Sequence, residues 1–293
     1  MTATHREQLA DLLISKTLIK TPGVYDGLSA LLVEQAGFEA AFLSGGSLSF
    51  ARFGRPDMGL VCASEVADTV AIIRDRVNLP LIVDMDTGFG NALNVQRTVR
   101  DLERAGASAL QLEDQVLPKR CGHMAGKAVI GCAEMLGKIK AAVDAREHDD
   151  TAIIARTDAL GVNGFEDAIE RAQQYRDAGA DALFIEAPVS SAQMAQIGQT
   201  FGAHIPLVHN LVEGGGSPIT DYDELQSLGY RIALYPVALL HSFVPRAREV
   251  LQEIQRSGNT QKLRKNMLEL SDMNTLLGAD QLLAAGLGYD AGS

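Results

Sequence analysis

A lone cysteine, Cys121, lies in a polar segment between Lys119-Arg120 and Gly122-His123. Cations beside a cysteine stabilise its thiolate, so we expect the pKa of Cys121 to fall towards neutrality. A thiol with such a pKa can give or take a proton during a reaction. Cys62 and Cys132 have small apolar neighbours, which favours an ordinary buried role for both. His123 is either a base or a residue that holds this segment closed.

Carboxylates form a second group of residues that could take part in chemistry. Asp84-Met85-Asp86 ends an apolar run, and Glu113 ends the next one. Alternate residues of a strand point to the same side, so these carboxylates can face one site, where an all-oxygen set suits Mg²⁺ or Mn²⁺. Asp57 is an outer partner of this site or an ordinary turn residue. Alternatively, Asp86 only begins a turn, and Glu113 pairs with a lysine or arginine.

Other polar residues follow apolar runs as well. Arg156 comes directly after one, where a bare charge is costly, so it binds either a substrate carboxylate or the acidic side chain of Asp158 or Glu186. Ser44-Gly45-Gly46 could present backbone N–H groups to a carboxylate, although such a pair of glycines is also ordinary loop sequence. Asn210 adds an amide after a later run.

Short apolar runs alternate with helical patterns, and glycines repeatedly separate a helix from the next strand. The chemistry-bearing residues fall at the ends of five strands, which a (β/α)8 TIM-type barrel would gather at one mouth, unlike an open doubly wound sheet. The eight strand candidates are Ile19–Val24, Ala40–Leu43, Leu81–Val83, Ala109–Leu112, Ile153–Ala155, Ala182–Ile185, Leu207–His209 and Ile232–Leu234.

Two further segments exceed what the barrel needs. The stretch from Gln115 to about Gly131, called the lid below, is too long for an ordinary connection and is predicted to be a mobile cover carrying Cys121. Residues 258–293 are rich in leucine and methionine. We therefore predict a catalytic barrel over residues 1–257 and a C-terminal helical extension, 258–293, packed on a neighbouring subunit.

The composition limits the class of protein. The chain has 293 residues, 46% of them apolar, and a net charge of −11, which argues against nucleic-acid binding. The sequence contains no apolar run of membrane-spanning length and no signal-peptide core near Met1. Its three cysteines are widely spaced, which fits a reducing compartment. We expect a cytoplasmic protein with a small-molecule partner.

The sequence resembles the isocitrate lyase / phosphoenolpyruvate mutase superfamily over almost its whole length. The resemblance implies a helix-swapped barrel, commonly a homotetramer built as a dimer of swapped dimers, that uses Mg²⁺ to cleave a 2-hydroxy-dicarboxylate. The matching motifs are Pro22-Gly23-Val24-Tyr25-Asp26, Ser44-Gly45-Gly46, Asp84-Met85-Asp86-Thr87-Gly88, Glu113-Asp114-Gln115, Lys119-Arg120-Cys121-Gly122-His123, Ala155-Arg156-Thr157-Asp158-Ala159, Glu186-Ala187-Pro188 and Asn210.

The resemblance also implies roles. Asp84, Asp86 and Glu113 would hold the metal, and Cys121 would protonate the departing carbanion. Glu186 or a metal-bound hydroxide would take the hydroxyl proton. Backbone N–H groups of Gly45 and Gly46 or of Gly122, together with Arg156, would stabilise charge; Lys119 and His123 belong to the same catalytic motif.

Departures from the superfamily bear on the substrate. Methylisocitrate lyases carry arginines where this chain has His241 and Leu270, and a tyrosine where it has Phe42. Loss of two guanidiniums removes the partner of a third carboxylate, so a 2-alkylmalate or 2,3-dimethylmalate type of substrate is favoured. Pro236 replaces a serine of oxaloacetate-hydrolysing relatives. The alternatives are methylisocitrate lyase, a carboxyphosphonoenolpyruvate or phosphoenolpyruvate phosphonomutase, an oxaloacetate hydrolase or decarboxylase, and a non-catalytic barrel that binds a keto acid.

Overall fold

The computed structural model describes residues 3–15, 17–122 and 124–289, and its eight parallel strands form a closed barrel in sequence order. The last strand closes on the first, with Ile232 opposite Ile19. This confirms the predicted (β/α)8 fold. The strands are β1 (Ile19–Val24), β2 (Ala41–Leu43), β3 (Leu81–Asp84), β4 (Ala109–Glu113), β5 (Ala152–Thr157), β6 (Ala182–Ile185), β7 (Leu207–Asn210) and β8 (Tyr230–Tyr235).

Helices precede, separate and follow the strands, as the alternating sequence pattern predicts. They are α1 (His5–Ile14), α2 (Gly27–Gln35), α3 (Gly45–Phe53), α4 (Ala63–Arg76), α5 (Ala92–Ala105), α6 (Cys132–Ala145), α7 (Phe165–Asp177), α8 (Ser191–Phe201), α9 (Tyr222–Ser227), α10 (Ala238–Ser257), α11 (Leu270–Leu277) and α12 (Ala279–Leu287). None of the helices in the described ranges combines the length and apolarity needed to cross a bilayer.

The strands are buried at nearly every position because a parallel barrel is covered on both faces. Local signals set where the helices begin and end. Asn91 accepts hydrogen bonds from the N–H groups of Leu93 and Asn94 at the start of α5. Gly106 ends the same helix at a φ of 111°, a conformation that glycine adopts cheaply.

Helix α1 covers the amino-terminal end of the barrel, called the floor below. Leu9 is 1% exposed and belongs to the cluster of side chains that fills the barrel interior. A ring nitrogen of His5, Nδ1, lies 2.8 Å from Ser108 Oγ just ahead of β4, and Arg6 pairs with Asp150 ahead of β5 at 3.1 Å. The floor is therefore closed by a helix from before the first strand.

The chain divides into two compact units, Met1–His241 and Ser242–Ser293. The first contains the barrel, and the second contains the greater part of α10 with α11 and α12. The predicted extension, 258–293, lies wholly in the second unit, and its packing on a neighbouring subunit stays a prediction. Large apolar side chains of the second unit are exposed, among them Leu268, Leu270, Leu282, Leu283 and Leu287.

Candidate active site

The carboxyl ends of the strands surround a cavity of about 230 Å³, and this end is called the mouth below. Strand register brings residues together there: Glu113 is paired with Arg156 across β4 and β5, and Asp84 with Gln111 across β3 and β4. Predicted site residues that line the cavity are Ser44, Gly46, Asp57, Asp84, Cys121, Gly122, Arg156, Asn210 and His241.

A second cavity, of about 350 Å³, adjoins the first beneath the lid. Glu186 lines it, and Gly122 and Asn210 border both cavities. His123 lies outside the described residues.

Lys119 extends from the lid into the set of carboxylate side chains at the mouth. Its Nζ atom lies 2.5 Å from Asp57 Oδ1 and 2.7 Å from Asp86 Oδ1, and the side chain is 3% exposed. Burial opposes the charge of the ammonium, but Asp86, Glu113 and Asp57 outweigh it and raise the pKa of Lys119 well above its usual value. Lys119 is thus a fixed cation among acidic side chains.

The acidic side chains at the mouth outnumber the cations beside them. Burial raises the pKa of Asp86 to about 7; Lys119 opposes this shift, whereas Asp84 and Asp57 add to it. Burial also raises the pKa of Glu113 well above its usual value, against the opposing effect of Arg156. The two carboxyls therefore resist ionisation, and a further cation would stabilise their charged forms.

The donor set at the mouth fits a hydrated Mg²⁺ or Mn²⁺ ion. Within the described ranges, Glu113 Oε1 and Gln111 Oε1 are buried and accept no hydrogen bond, so oxygen donors are available. No three acidic, histidine or cysteine side chains of those ranges converge as a ready-made metal shell. Mg²⁺ usually keeps several waters and needs only one or two carboxylates, so this arrangement is compatible with it.

Ser44 and the two glycines after it start a helix rather than a loop. Ser44 Oγ accepts a hydrogen bond from the Ser47 N–H as the cap of α3, and the Gly45 N–H points at Asp84 Oδ2, 3.4 Å away. A Cβ atom at Gly45 would lie 3.1 Å from that oxygen. Because Gly45 has no side chain, α3 can approach Asp84 closely, and the positive end of the helix dipole favours this approach.

Arg156 lies among three acidic side chains at the end of β5. Its Nε atom is 2.9 Å from Asp158 Oδ2 and 3.3 Å from Glu113 Oε2, and Nη2 is 3.7 Å from Glu186 Oε2. Burial would lower the pKa of the guanidinium, but the three carboxylates outweigh it and raise that pKa. The salt-bridge alternative therefore describes the observed contacts, while a substrate carboxylate remains a proposed partner.

The lid runs from β4 to α6 without helical structure in its described residues, and its mobility stays a prediction. The Gln115 side chain binds the backbone N–H and C=O of Arg120, and the Cys121 N–H donates to Asp57 O at 3.1 Å. Cys121 is half-buried and lines the mouth cavity. A Cβ atom on Gly122 would collide with the Arg156 guanidinium, so glycine is required for this close approach.

The predicted residues on the far side of the mouth have fewer contacts among the described residues. Asn210 Oδ1 at the end of β7 is buried and accepts no hydrogen bond from them. His241 is half-exposed, and its Nδ1 atom lies 3.8 Å from Glu213 Oε2. Neither of these two described side chains is a lysine or an arginine, so neither brings a permanent positive charge to this corner of the mouth.

The sequence analysis missed two residues, Gln111 and Lys127, that hold the site together. Gln111 is 1% exposed and donates to Asp84 Oδ1 at 3.3 Å; a glutamine inside the apolar run of β4 was a usable signal. Lys127 and Asp158 form a buried ion pair at 2.7 Å. Lys127 carried no signal of its own, because the lid has no periodicity that would orient a side chain.

The prediction of an ordinary buried role for the other two cysteines is wrong for Cys62. It is exposed, at the cap position of α4, and Cys132 is half-buried at the start of α6. Small apolar neighbours in sequence do not bury a side chain that stands at a helix terminus.

Comparison with known proteins gives consistent matches. The family described as phosphoenolpyruvate phosphomutase matches residues 9–255. The 2,3-dimethylmalate lyase of Eubacterium barkeri is 38% identical over 97% of this chain and 98% of its own length. A 2-methylisocitrate lyase of Aeropyrum pernix is 43% identical over 92% of this chain and 86% of its own.

Solved structures agree with these matches. A structure of 2,3-dimethylmalate lyase has a TM-score of 0.92 and 34% identity, covering 100% of this chain and 99% of that one. Oxaloacetate acetylhydrolase in complex with 3,3-difluorooxalacetate has the same TM-score and identity, with 99% and 98% covered. Phosphonopyruvate hydrolase in complex with oxalate and Mg²⁺ has a TM-score of 0.88 and 32% identity, with 98% and 99% covered.

Proposed function

The chain belongs to the phosphoenolpyruvate phosphomutase family of the phosphoenolpyruvate mutase/isocitrate lyase superfamily, and on this premise we propose that it is a carbon–carbon lyase acting on a 2-alkylmalate such as 2,3-dimethylmalate. One observation carries the proposal: a thiol, Cys121, is held over a cavity that combines carboxylates with a buried arginine. The products would be a 2-oxo acid and a carboxylic acid.

Mg²⁺ fits this proposal because the mouth has more acidic oxygens than cations. Asp84, Asp86, Glu113 and Asp57 would hold it, directly or through water. When bound, the ion would act as a Lewis acid towards the substrate's 2-hydroxyl and neighbouring carboxylate. Mn²⁺ suits the same oxygen donors.

The chain's own residues would carry the proton transfers. Glu186 would accept the proton of the 2-hydroxyl group, after which the C2–C3 bond breaks and its electrons remain on C3. The Cys121 thiol would give its proton to C3 from the lid. Arg156 and the N–H groups of α3 would orient the carboxylates, and Lys119 would hold Asp57 and Asp86 in place.

The far corner of the mouth supports a small substrate. His241 lies 3.8 Å from Glu213 Oε2, and neither of these two described residues offers a guanidinium to a third carboxylate group. Burying such a group without a partner costs ~3 kcal/mol or more, over a hundredfold in rate. A short alkyl group would be accepted in its place. Pro236, which lines the cavity, has no hydroxyl for a hydrated oxaloacetate.

The test compares kcat/KM for 2,3-dimethylmalate, 2-methylisocitrate and oxaloacetate with Mg²⁺ under one set of conditions, with release of the product acids measured. We expect 2,3-dimethylmalate to exceed 2-methylisocitrate by over ~100-fold. Equal or faster cleavage of 2-methylisocitrate would place the chain with the methylisocitrate lyases. A parallel assay of phosphorus chemistry would detect phosphonomutase activity instead.

We also propose a homotetramer located in the cytoplasm. The exposed leucines of the second unit would be covered by another copy, because so many exposed apolar side chains are unusual for a monomer. All three cysteines lie in the described ranges and none forms a disulfide, which suits a reducing compartment. Light scattering after size-exclusion chromatography would test the assembly, and a monomer at micromolar concentration would contradict it.

A further inference from the structure

Lys127, near the end of the lid, reaches back into the barrel although it had no role in the proposed chemistry. Its Nζ atom donates to Gly122 O at 2.5 Å and to Asp158 Oδ1 at 2.7 Å. The side chain is 6% exposed. One ammonium therefore joins the segment next to Cys121 to the loop after β5.

Asp158 is shared between this lysine and the arginine of the site. Its Oδ2 atom accepts from Arg156 Nε at 2.9 Å, while its Oδ1 atom accepts from Arg156 Nη2 at 3.2 Å and from Lys127. Among the described residues, Asp158 pairs with Lys127 and Arg156 only, and Arg156 is shared with Glu113 and Glu186. Docking of the lid therefore brings a second cation to Asp158.

A rigid base holds Asp158 in this position. Asp114 accepts hydrogen bonds from the Asp158 N–H at 2.9 Å, from Thr157 Oγ1 at 2.7 Å and from Tyr175 OH at 2.8 Å. Arg171 pairs with Asp114 at 3.3 Å and also donates to Ile130 O, at the end of the lid. The lid is thus attached to a fixed element at both Lys127 and Ile130.

We propose that the Lys127–Asp158 ion pair is a latch that holds the lid over the mouth and links lid closure to the orientation of Arg156. Lys127 is a positioning residue: it would act on the reaction through Gly122, Cys121 and Asp158. The inference rests on the proposed function only in that Cys121 would serve as the proton donor. The latch itself is a property of the protein without substrate.

The test measures alkylation of Cys121 by iodoacetamide in the free, full-length protein, with the labelled peptides quantified by mass spectrometry. Lys127→Met removes the charge, and we expect Cys121 to react at least ~10-fold faster because the buried pair no longer holds the lid. Loss of a nearby cation would by itself slow alkylation by disfavouring the thiolate. The expected increase therefore cannot come from electrostatics alone.

Matched variants complete the experiment. Lys127→Arg keeps the charge and should retain slow labelling of Cys121. Lys140 is an exposed lysine on α6, and Cys121 in Lys140→Met should be labelled as in the wild type. Cys62 is exposed and serves as the internal reference. If Lys127→Met folds poorly, Lys127→Gln keeps a donor for Gly122 O but lacks the charge, and the same increase is expected.

Unchanged Cys121 labelling in the folded Met or Gln variant would overturn the latch. Turnover of 2,3-dimethylmalate is measured on the same samples. A protein that lacks this activity but shows the labelling difference has the latch and a different substrate. An active protein in which no variant changes the labelling has the function without the latch.

Discussion

The floor and the mouth of the barrel bury very different side chains on one scaffold. At the floor, α1 places Leu9 against the apolar interior of the strands. At the mouth, Glu113, Arg156 and Lys119 are each less than a tenth exposed although all three are ionisable. Burial of the apolar side chains at the floor is favourable, whereas burial of the charged side chains at the mouth costs free energy unless they are paired. Stability and chemistry are therefore placed at opposite ends.

Titration at the two ends follows the same division. At the floor, burial lowers the pKa of His5 to about 4, helped by Arg74 and Arg6, so the ring is neutral at pH 7. At the mouth, burial raises the pKa of Asp86 and Glu113, but neighbouring carboxylates outweigh burial at Arg156 and Lys119 and keep both cationic. His5 at the floor is therefore neutral, whereas the buried cations Arg156 and Lys119 at the mouth keep their charge through carboxylate partners.

The largest effect should follow loss of a carboxylate from the mouth. Asp84→Ala removes a proposed metal ligand, and we expect kcat/KM to fall by about 10³-fold because Lewis-acid stabilisation contributes several kcal/mol. The melting temperature should stay close to that of the wild type. Asp84→Asn keeps an oxygen for Gln111 and the Asp86 N–H, so it separates loss of charge from loss of these hydrogen bonds. Full activity of either variant with Mg²⁺ would remove Asp84 from the proposed site.

Replacement of the lid thiol should have the next largest effect. Cys121→Ser keeps the shape but supplies a far weaker acid, so we expect kcat to fall by ~10²-fold while substrate binding persists. Steady-state kinetics and substrate binding by calorimetry would measure the two quantities. Cys62→Ser is the matched control, because this exposed thiol lies on the amino-terminal side of α4 and should not affect kcat. Wild-type turnover by Cys121→Ser would leave Cys121 a packing residue.

A substitution at the floor should lower the stability of the protein and leave its catalysis unchanged. Leu9→Ala is expected to lower the free energy of unfolding by about 2–5 kcal/mol, because Leu9 is 1% exposed in the interior cluster. Its kcat/KM at a temperature where the protein is folded should match the wild type. Leu93→Ala, at a side chain 73% exposed on α5, should change stability by less than about 0.5 kcal/mol. A large loss of kcat/KM in folded Leu9→Ala would show that the two ends are coupled.

The smallest effect concerns the pH dependence of stability at the floor. Between pH 6.5 and about 4 the unfolded chain binds a proton at His5 that the folded chain does not, so this group makes the free energy of unfolding fall as pH falls. We expect about 1 kcal/mol, since the ring is only half-buried. Urea unfolding of wild type and His5→Gln at about pH 7.5 and about pH 5 would measure it. Equal losses in both proteins would assign the pH dependence to other groups.

The sequence predicted the barrel well because its signals are local. Each strand candidate overlaps an observed strand. Gly106 and Gly179 adopt positive φ where α5 and α7 end. Because parallel strands end together, polar residues at those ends had to meet at one mouth.

The interior of the mouth was less predictable because it depends on contacts between distant segments. Lys119 joins Asp57, and Lys127 joins Asp158, across chain separations that no periodicity encodes. The two possible partners of Arg156, a substrate carboxylate or protein acids, could not be separated without the register that pairs it with Glu113. The sequence analysis also did not predict that α1 closes the floor, since the apolar face of this helix is short.

Closure of the floor by α1 has a practical consequence for handling the protein. The helix begins at His5, on the face opposite the mouth, so a short linker attached ahead of it leads away from the cavity. Molecules tethered to a resin or sensor chip at that end would present their openings to the flowing solution. Such an oriented layer should retain its full capacity for small solutes, whereas random coupling through surface lysines would obstruct some of the openings.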